Sequence, residues 1–154
     1  MERGMEKEKN IIGKGKEYDC CCDNRYLKFE GEYLNGKRNG KGKEYSIDGK
    51  LEFEGEYLNG KRNGKGKEYY FDGRLRFEGE YLNGNKWNGN GYDNKNDIAY
   101  TLKNGNGLIK EYDDEGNLIF EGEYLNGKRN GKGKEYYFYG TLMFEGEYLI
   151  GNKI

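Results

Sequence analysis

The sequence contains no histidine, no proline and a single tryptophan among its 154 residues. Histidine is the side chain best suited to acid–base chemistry at neutral pH. The hydroxyls of Ser46, Thr101 and Thr141 have no recognisable base partner. Three adjacent cysteines without histidine cannot supply the four ligands of a zinc site. We therefore expect a non-enzymatic protein that has no catalytic residues, no cofactor and no metal.

Long apolar runs are also missing, since no stretch approaches the roughly 20 residues of a membrane-spanning helix. The first ten residues, MERGMEKEKN, are rich in charge, which predicts no signal peptide. All the cysteines lie together at Cys20, Cys21 and Cys22, so they do not form the disulfide framework of a small secreted domain. We expect a cytoplasmic protein without a transmembrane segment.

Glycine, tyrosine and charged residues dominate the composition. The 27 glycines argue against a helical bundle, because glycine is a poor helix former. The 16 tyrosines and seven phenylalanines supply most of the area that a folded chain could bury. The 27 basic and 28 acidic residues leave a net charge of −1, which does not favour nucleic-acid binding.

The chain is built from a repeat of 24 residues. One element, Phe-Glu-Gly-Glu-Tyr-Leu, starts at Phe29, Phe53, Phe77, Phe120 and Phe144. A second element, Gly-Lys-Gly-Lys-Glu-Tyr, starts at Gly13, Gly40, Gly64 and Gly131. A fixed period of this size is typical of repeat architectures. We predict a flexible charged segment at 1–10 and one repeat domain at 11–154. In it, an irregular insertion around 85–97 precedes a degenerate repeat with strands at 98–102 and 107–112.

Each repeat reads as two strands joined by tight turns. Asn59-Gly60 and Asp72-Gly73 are typical of two-residue hairpin turns whose central residues both have positive φ. Counting from these turns predicts that Tyr57 faces Arg62 and Phe53 faces Gly66. The result is an all-β, single-layer antiparallel meander of about a dozen strands.

The same counting assigns each side chain to a face of the sheet. One face carries the aromatic side chains over glycines of the neighbouring strands. The other face carries alternating lysines and glutamates, with Glu54 facing Lys65, and with Glu78 facing Lys67 across the next hairpin. Cross-strand ion pairs of this kind contribute about 0.2–1 kcal/mol each.

Residues 53–66 resemble the core of a MORN repeat, whose pattern is aromatic-x-Gly-x-aromatic-x-x-Gly-x-x-x-Gly-x-Gly. The match recurs cleanly from Phe29, Phe53 and Phe120, and the Lys-Glu-Tyr strand resembles a bacterial variant found in antitoxin-like proteins. The resemblance implies an elongated, twisted, open-ended sheet of about six repeats with an aromatic groove. It also implies a scaffold that links proteins or tethers them to membranes, and phospholipid binding in some members.

The leading functional hypothesis is a scaffold that binds a protein partner, or self-associates, through its aromatic groove or sheet edges. Trp87 is assigned to the place of Arg62 after a one-residue insertion, so that it breaks the repeat and marks either a point of partner contact or only a local patch of the sheet. The predicted groove residues are Phe53, Tyr57, Phe77, Tyr81, Trp87, Phe120 and Tyr124.

A first alternative is an adaptor at the membrane surface that binds anionic phospholipid through a basic row after the Asn-Gly turns. The row consists of Lys37, Arg38, Lys61, Arg62, Lys128 and Arg129, at about 1 kcal/mol per basic residue. The competing interpretation is that Arg62 stacks on Tyr57. A second alternative, based on the bacterial variant alone, is an antitoxin-like binding protein.

Two further features have competing interpretations. Cys20, Cys21 and Cys22 are either sites of S-acylation, which would tether the protein to a membrane, or reduced thiols in a loop insertion. Glu44, Glu68 and Glu135 recur at matching places beside aromatic positions. A structural role is favoured for them over acid–base chemistry, namely a hydrogen bond with a neighbouring tyrosine hydroxyl or a backbone group.

Overall fold

A computed structural model describes residues 10–21 and 24–154, which form thirteen antiparallel strands. The strands are β1 Ile12–Cys21, β2 Asn24–Leu34, β3 Lys37–Tyr45, β4 Leu51–Leu58, β5 Lys61–Tyr69, β6 Leu75–Leu82, β7 Asn85–Tyr92, β8 Ile98–Leu102, β9 Gly107–Tyr112, β10 Leu118–Leu125, β11 Lys128–Tyr136, β12 Leu142–Leu149 and β13 Asn152–Lys153. Residues 1–9 of the segment 1–10, which the sequence predicts to be flexible, lie outside the described part. In that part no helix is long and apolar enough to cross a bilayer.

Strands that follow one another in the chain are neighbours in space. Strands β1–β8 form one sheet and β9–β13 a second, and neither sheet closes on itself. This confirms the predicted all-β, open antiparallel array. A meander of this kind needs only short connections, which the Asn-Gly and Asp-Gly turns supply.

The Asn-Gly turns form as predicted. Asn59 has φ 51° and Gly60 φ 87°, and the flanking residues Tyr57 and Arg62 face each other. Asparagine tolerates this left-handed conformation better than other residues with a side chain, and glycine adopts it freely. The same pair of positive φ angles recurs at the other Asn-Gly turns, from Asn35-Gly36 to Asn126-Gly127.

The Asp-Gly turns differ from the prediction. Only Gly73 has a positive φ there, and its N–H donates to the carbonyl of Tyr70 at 2.8 Å. The N–H of Tyr70 donates to the carbonyl of Arg74, so the loop has three residues, Phe71 to Gly73, instead of two. A bulge in the following pairs offsets the extra residue.

A second bulge changes the predicted register of β4 and β5. Gly55 faces Gly66 and Phe53 faces Glu68, so the predicted Phe53–Gly66 pair is wrong. The irregularity lies between Gly55 and Tyr57, where one residue of β4 stands opposite three residues of β5. The two glycines then meet so closely that a Cβ on Gly55 would lie 2.7 Å from the Cα of Gly66.

The two faces carry the predicted chemistry. Phe29, Phe53, Phe77 and Phe120 are fully buried on the aromatic face. On the charged face Glu78 faces Lys67 as predicted, whereas Glu54 faces Lys67 and not Lys65, because of the bulge. The core of this single layer is therefore a row of rings lying on glycine backbone.

The degenerate repeat supplies β8 and β9, at the predicted positions. The preceding segment 85–97, expected to be irregular, contains the regular strand β7 and a turn. Leu102 and Ile109 occupy places that glycines hold elsewhere, since they face Gly89 and Gly122. Between β8 and β9 the described backbone pairing is limited to Lys103 and Asn106, and the sheet divides there.

Candidate functional site

The aromatic residues predicted to line a groove form the core instead. Phe53, Phe77 and Phe120 have no exposed area, and Tyr57 and Tyr81 are 4% and 3% exposed. Their rings meet edge to face, as at 5.2 Å between Phe53 and Tyr81. Trp87 and Tyr124 are half-buried. A partner approaching this face meets the polar side chains that cover the rings.

Arginine and glutamate provide that cover. The guanidinium of Arg62 lies 4.0 Å from the centre of the Phe53 ring, so the expected stacking on Tyr57 is wrong. Its nitrogens donate to Glu68 at 2.9 Å and to Glu44 at 2.5 Å. Charge-assisted hydrogen bonds of this kind are the strong ones, and here they neutralise the arginine. Arg38 and Arg129 repeat the arrangement in their own units.

Two of the repeated glutamates, Glu44 and Glu135, bind tyrosine hydroxyls as the sequence favours, whereas Glu68 is ion-paired with Arg62 and Lys86. The hydroxyl of Tyr57 donates to Glu44 at 2.7 Å, and that of Tyr148 donates to Glu135 at 2.8 Å. Burial alone would raise the pKa of the Glu44 carboxyl, but the hydrogen bond and charge of Arg62 hold that pKa below its usual range. A carboxylate held ionised between arginine and tyrosine is suited to structure rather than to proton transfer.

Lys86, and not Trp87, takes the place of the arginine in the third repeat. Lys86 faces Tyr81, and its Nζ lies 2.7 Å from Glu68. The assignment of the Trp87 side chain to that position is therefore wrong. The extra residue follows Lys86, because Asn88 accepts the N–H of Asn104 at 2.7 Å as Asn63 accepts that of Asn83. Trp87 keeps the backbone role of Arg62, since its carbonyl accepts the N–H of Gly105 at 2.7 Å as that of Arg62 accepts the N–H of Gly84 at 2.8 Å.

The lysines of the predicted basic row remain accessible. Lys37, Lys61 and Lys128 are exposed, and none has a carboxylate partner among the described residues. Each faces a leucine across its turn, and Leu58 and Leu125 are both 48% exposed. The row therefore divides into half-buried, neutralised arginines and exposed lysines that lie beside leucines.

Asparagines after the turns connect one repeat to the next, a role that sequence reasoning missed. The Oδ1 of Asn63 accepts the backbone N–H of Asn83 at 3.1 Å, and Asn39 accepts that of Asn59 at 3.4 Å. Gly60 also donates its N–H to the carbonyl of Arg38 at 2.9 Å. The recurrence of asparagine four residues after Asn35, Asn59 and Asn126 was the available signal.

A trough of about 1080 Å³ runs across the charged face of the first sheet, over β1–β6. Each strand contributes a glycine flanked by two lysines or two glutamates, so the floor is peptide backbone and the walls are two rails of alternating charge. The rail nearer the Asn-Gly turns, the turn-side rail, is Lys14, Glu32, Lys41, Glu56, Lys65 and Glu80. The other, the far rail, is Lys16, Glu30, Lys43, Glu54, Lys67 and Glu78.

The lysines of the far rail form ion pairs with the glutamates of the same rail. Lys16 lies 3.5 Å from Glu30, and Lys67 lies 3.0 Å from Glu78. The hydroxyl of Tyr69 donates to Glu54 at 2.7 Å, because Tyr69 lies two residues beyond Lys67 in β5 and so on the same face. The charges of this rail thus have partners within the sheet.

A second trough of about 700 Å³ crosses β9–β12. It repeats the pattern of lysine and glutamate, but Leu108 stands where a turn-side lysine would be and is 74% exposed. The break between the two sheets therefore places an apolar side chain at the end of this trough.

The cysteines lie partly within β1. Cys20 is an exposed free thiol, and its N–H donates to Asp19 at 2.9 Å. Cys21 ends the same strand, whereas Cys22 lies outside the described residues. Two of the three are thus in a strand and not in a loop, and S-acylation stays a prediction.

Comparison with known families agrees with this geometry. The model of the MORN repeat family matches residues 29–50, 53–73 and 120–138. Each match begins at one of the buried phenylalanines, the three positions where the sequence predicts clean repeats. No curated protein matches the chain.

Proposed function

Because the chain is a MORN-repeat protein, we propose that it is a non-enzymatic scaffold that holds a protein partner in the trough of its charged face. MORN repeats are generally modules that bind protein or lipid. The observation that carries the proposal is the trough itself, a concave surface with accessible backbone and charged walls over six strands. Extended concave surfaces are the usual binding surfaces of repeat proteins.

The trough suits a partner better than the aromatic face does. On the aromatic face a partner would have to displace Arg62 from Phe53 and from two glutamates, which would leave half-buried charges without partners. In the trough the strands β2–β6 are paired on both sides, so their backbone cannot accept an added strand. The partner therefore binds through side chains that meet the two rails.

Photo-crosslinking tests the location of the partner. A crosslinking amino acid in place of the exposed Lys43, on the far rail, should form adducts with one protein in the native host. The matched control is the same amino acid in place of Lys50, which is exposed in a turn at the opposite edge. The purified partner should then bind the unmodified protein. Equal adducts at both positions, or none at Lys43, would remove the proposal.

A lipid surface is the second candidate, favoured by the exposed lysines and leucines beside the Asn-Gly turns. In that case the protein should sediment with vesicles that contain anionic lipid, and less so as salt rises. Replacing Lys37, Lys61 and Lys128 by glutamate should abolish sedimentation, whereas the same change at Lys50 and Lys95 should not. Sedimentation that ignores both salt and these substitutions would exclude this candidate.

A further inference from the structure

The lysines of the two rails differ in their partners. On the far rail, Lys16, Lys43 and Lys67 lie within 3.0–3.8 Å of a glutamate on the next strand. On the turn-side rail, no carboxylate of the described residues pairs with Lys14, Lys41 or Lys65, and all three are exposed. The two rails have the same alternation of lysine and glutamate. The difference must therefore come from other groups that bind the turn-side glutamates in place of lysine.

The turn-side glutamates bind other groups. Glu56 accepts the backbone N–H of Lys65 at 2.8 Å, and Glu32 accepts that of Lys41 at 2.8 Å. Glu80 accepts a hydrogen bond from the side-chain amide of Asn88, also at 2.8 Å. The bulges after the Asn-Gly turns leave the N–H groups of Lys41 and Lys65 free of the preceding strand's backbone, so that they donate to the carboxylates of Glu32 and Glu56. The ammonium groups are thereby left for an external acceptor.

The free ammonium groups have a regular spacing. Lys14, Lys41 and Lys65 belong to β1, β3 and β5, so each is two strands from the next. At about 4.8 Å per strand, the separation is about 9.6 Å. Seven residues of an α-helix, about two turns, rise about 10.5 Å, and three residues of a polyproline II helix, one turn, rise about 9.3 Å. Both spacings keep the carboxylates on one side of the segment.

We propose that the partner in the trough is an acidic protein segment whose carboxylates recur about every 10 Å and pair with Lys14, Lys41 and Lys65. The exposed Lys37 and Lys61 lie at the same rim and add to the positive charge there. This inference rests on the proposed function, because it names the chemistry of the partner for the same trough.

The spacing favours a protein segment over other anions. A nucleic-acid strand carries one phosphate per 3.4 Å of its axis and would bring charges against Glu32 and Glu56 as well as the lysines. A bilayer is flat and meets the rim lysines Lys37 and Lys61 before those inside the concave trough. Carboxylates at every second strand meet lysine and avoid glutamate.

Synthetic peptides test the spacing directly. One is helical with glutamate at every seventh position, and one is a polyproline II peptide with glutamate at every third position. For each, a control of identical composition has its glutamates adjacent. Fluorescence anisotropy should show that at least one spaced peptide binds more tightly than its control. Equal binding of the spaced and adjacent peptides would overturn the inference.

Variants of the protein locate the binding. The double variant Lys41→Glu/Lys65→Glu should weaken binding of the spaced peptide by about tenfold or more, and Lys41→Gln/Lys65→Gln should weaken it less. The matched control Lys50→Glu/Lys95→Glu, at exposed turns of the opposite edge, should bind as the parent does. Circular dichroism and thermal melting should confirm that all three variants fold.

Two further outcomes separate the possible failures. If the variant Lys41→Glu/Lys65→Glu keeps full affinity for the spaced peptide, or if it loses only its binding to anionic vesicles, the acidic segment is ruled out. If photo-crosslinking at Lys43 nevertheless identifies a protein partner, the scaffold proposal stands with a partner of other chemistry. If neither the crosslink nor peptide binding is found, both proposals fail.

Discussion

Single glycines allow the aromatic rings to pack directly on the backbone of this single-layer sheet. Gly66 lies beneath Phe53, and a Cβ added there would lie 2.6 Å from the ring and 3.0 Å from Tyr81. Its backbone does not require glycine, since its φ is not positive. The requirement at Gly66 is therefore one of space, and it comes from close packing against the aromatic core.

Replacing Gly66 by alanine should lower the free energy of unfolding by about 1–3 kcal/mol, because the ring must shift from its place. Gly13 is the matched control, since a Cβ there has nothing within 4 Å. Gly13→Ala should be neutral or slightly stabilising. Urea unfolding of the two variants measures the difference, and equal effects would show that the ring does not depend on glycine.

Ionised glutamates beneath the arginines make the protein sensitive to acid. The hydrogen bond of Arg38 lowers the pKa of Glu17 from its usual 4.5 to about 2. Because the folded value lies below the unfolded one, the contribution of this group is present above pH 4.5 and is lost as pH falls through about 2. Glu17→Gln should therefore lose less stability over that interval than the parent does.

The free energy of unfolding at several pH values between 4.5 and 2 tests this expectation. Glu52→Gln is the control, because Glu52 is exposed and takes part in none of the described ion pairs. It should follow the parent over the whole interval. A Glu17→Gln profile that runs parallel to that of the parent would mean that the Arg38 pair does not stabilise the fold.

At the scale of the element, asparagine side chains couple each hairpin to the next. Asn63 holds the backbone N–H of Asn83, which lies in the following turn. Asn63→Ala should cost about 1 kcal/mol and speed amide exchange at Asn83, while Asn63→Asp keeps the acceptor oxygen and should change both less. Hydrogen exchange read residue by residue measures the effect. Unchanged exchange at Asn83 in the alanine variant would show that the contact does not order the turn.

The sequence predicts the hairpins better than it predicts which face is open. Pairs next to the turns, such as Tyr57 with Arg62, follow from the turn type alone. Pairs beyond a bulge do not, because extra residues in one strand shift the count without a sequence signal as strong as Asn-Gly. That shift pairs Phe53 with Glu68, whose carboxylate binds Arg62 where the guanidinium lies over the Phe53 ring. The predicted aromatic groove is thereby covered, and the trough lies on the face that sequence reasoning treated as a solvated ladder.

At the scale of the whole molecule, the two sheets are joined by side chains more than by backbone. Between β8 and β9 the described backbone pairing is limited to Lys103 and Asn106. The buried cluster nevertheless continues across the break, through Tyr100, Leu102 and Ile109. Since repeat arrays are stabilised mainly by contacts between neighbours, this junction is where the cooperativity of the array depends on apolar packing.

Ile109→Ala should therefore separate the unfolding of the two sheets, in addition to costing about 2–4 kcal/mol. Trp87, the single tryptophan, lies in the first sheet, so its fluorescence follows that sheet while far-UV circular dichroism follows both. In urea the two probes should coincide for the parent and diverge for the variant. Phe53→Leu removes core contacts within the uninterrupted ladder and should lower stability while the probes stay coincident. Coincident transitions in Ile109→Ala would show that the backbone on either side of the break couples the sheets without that side chain.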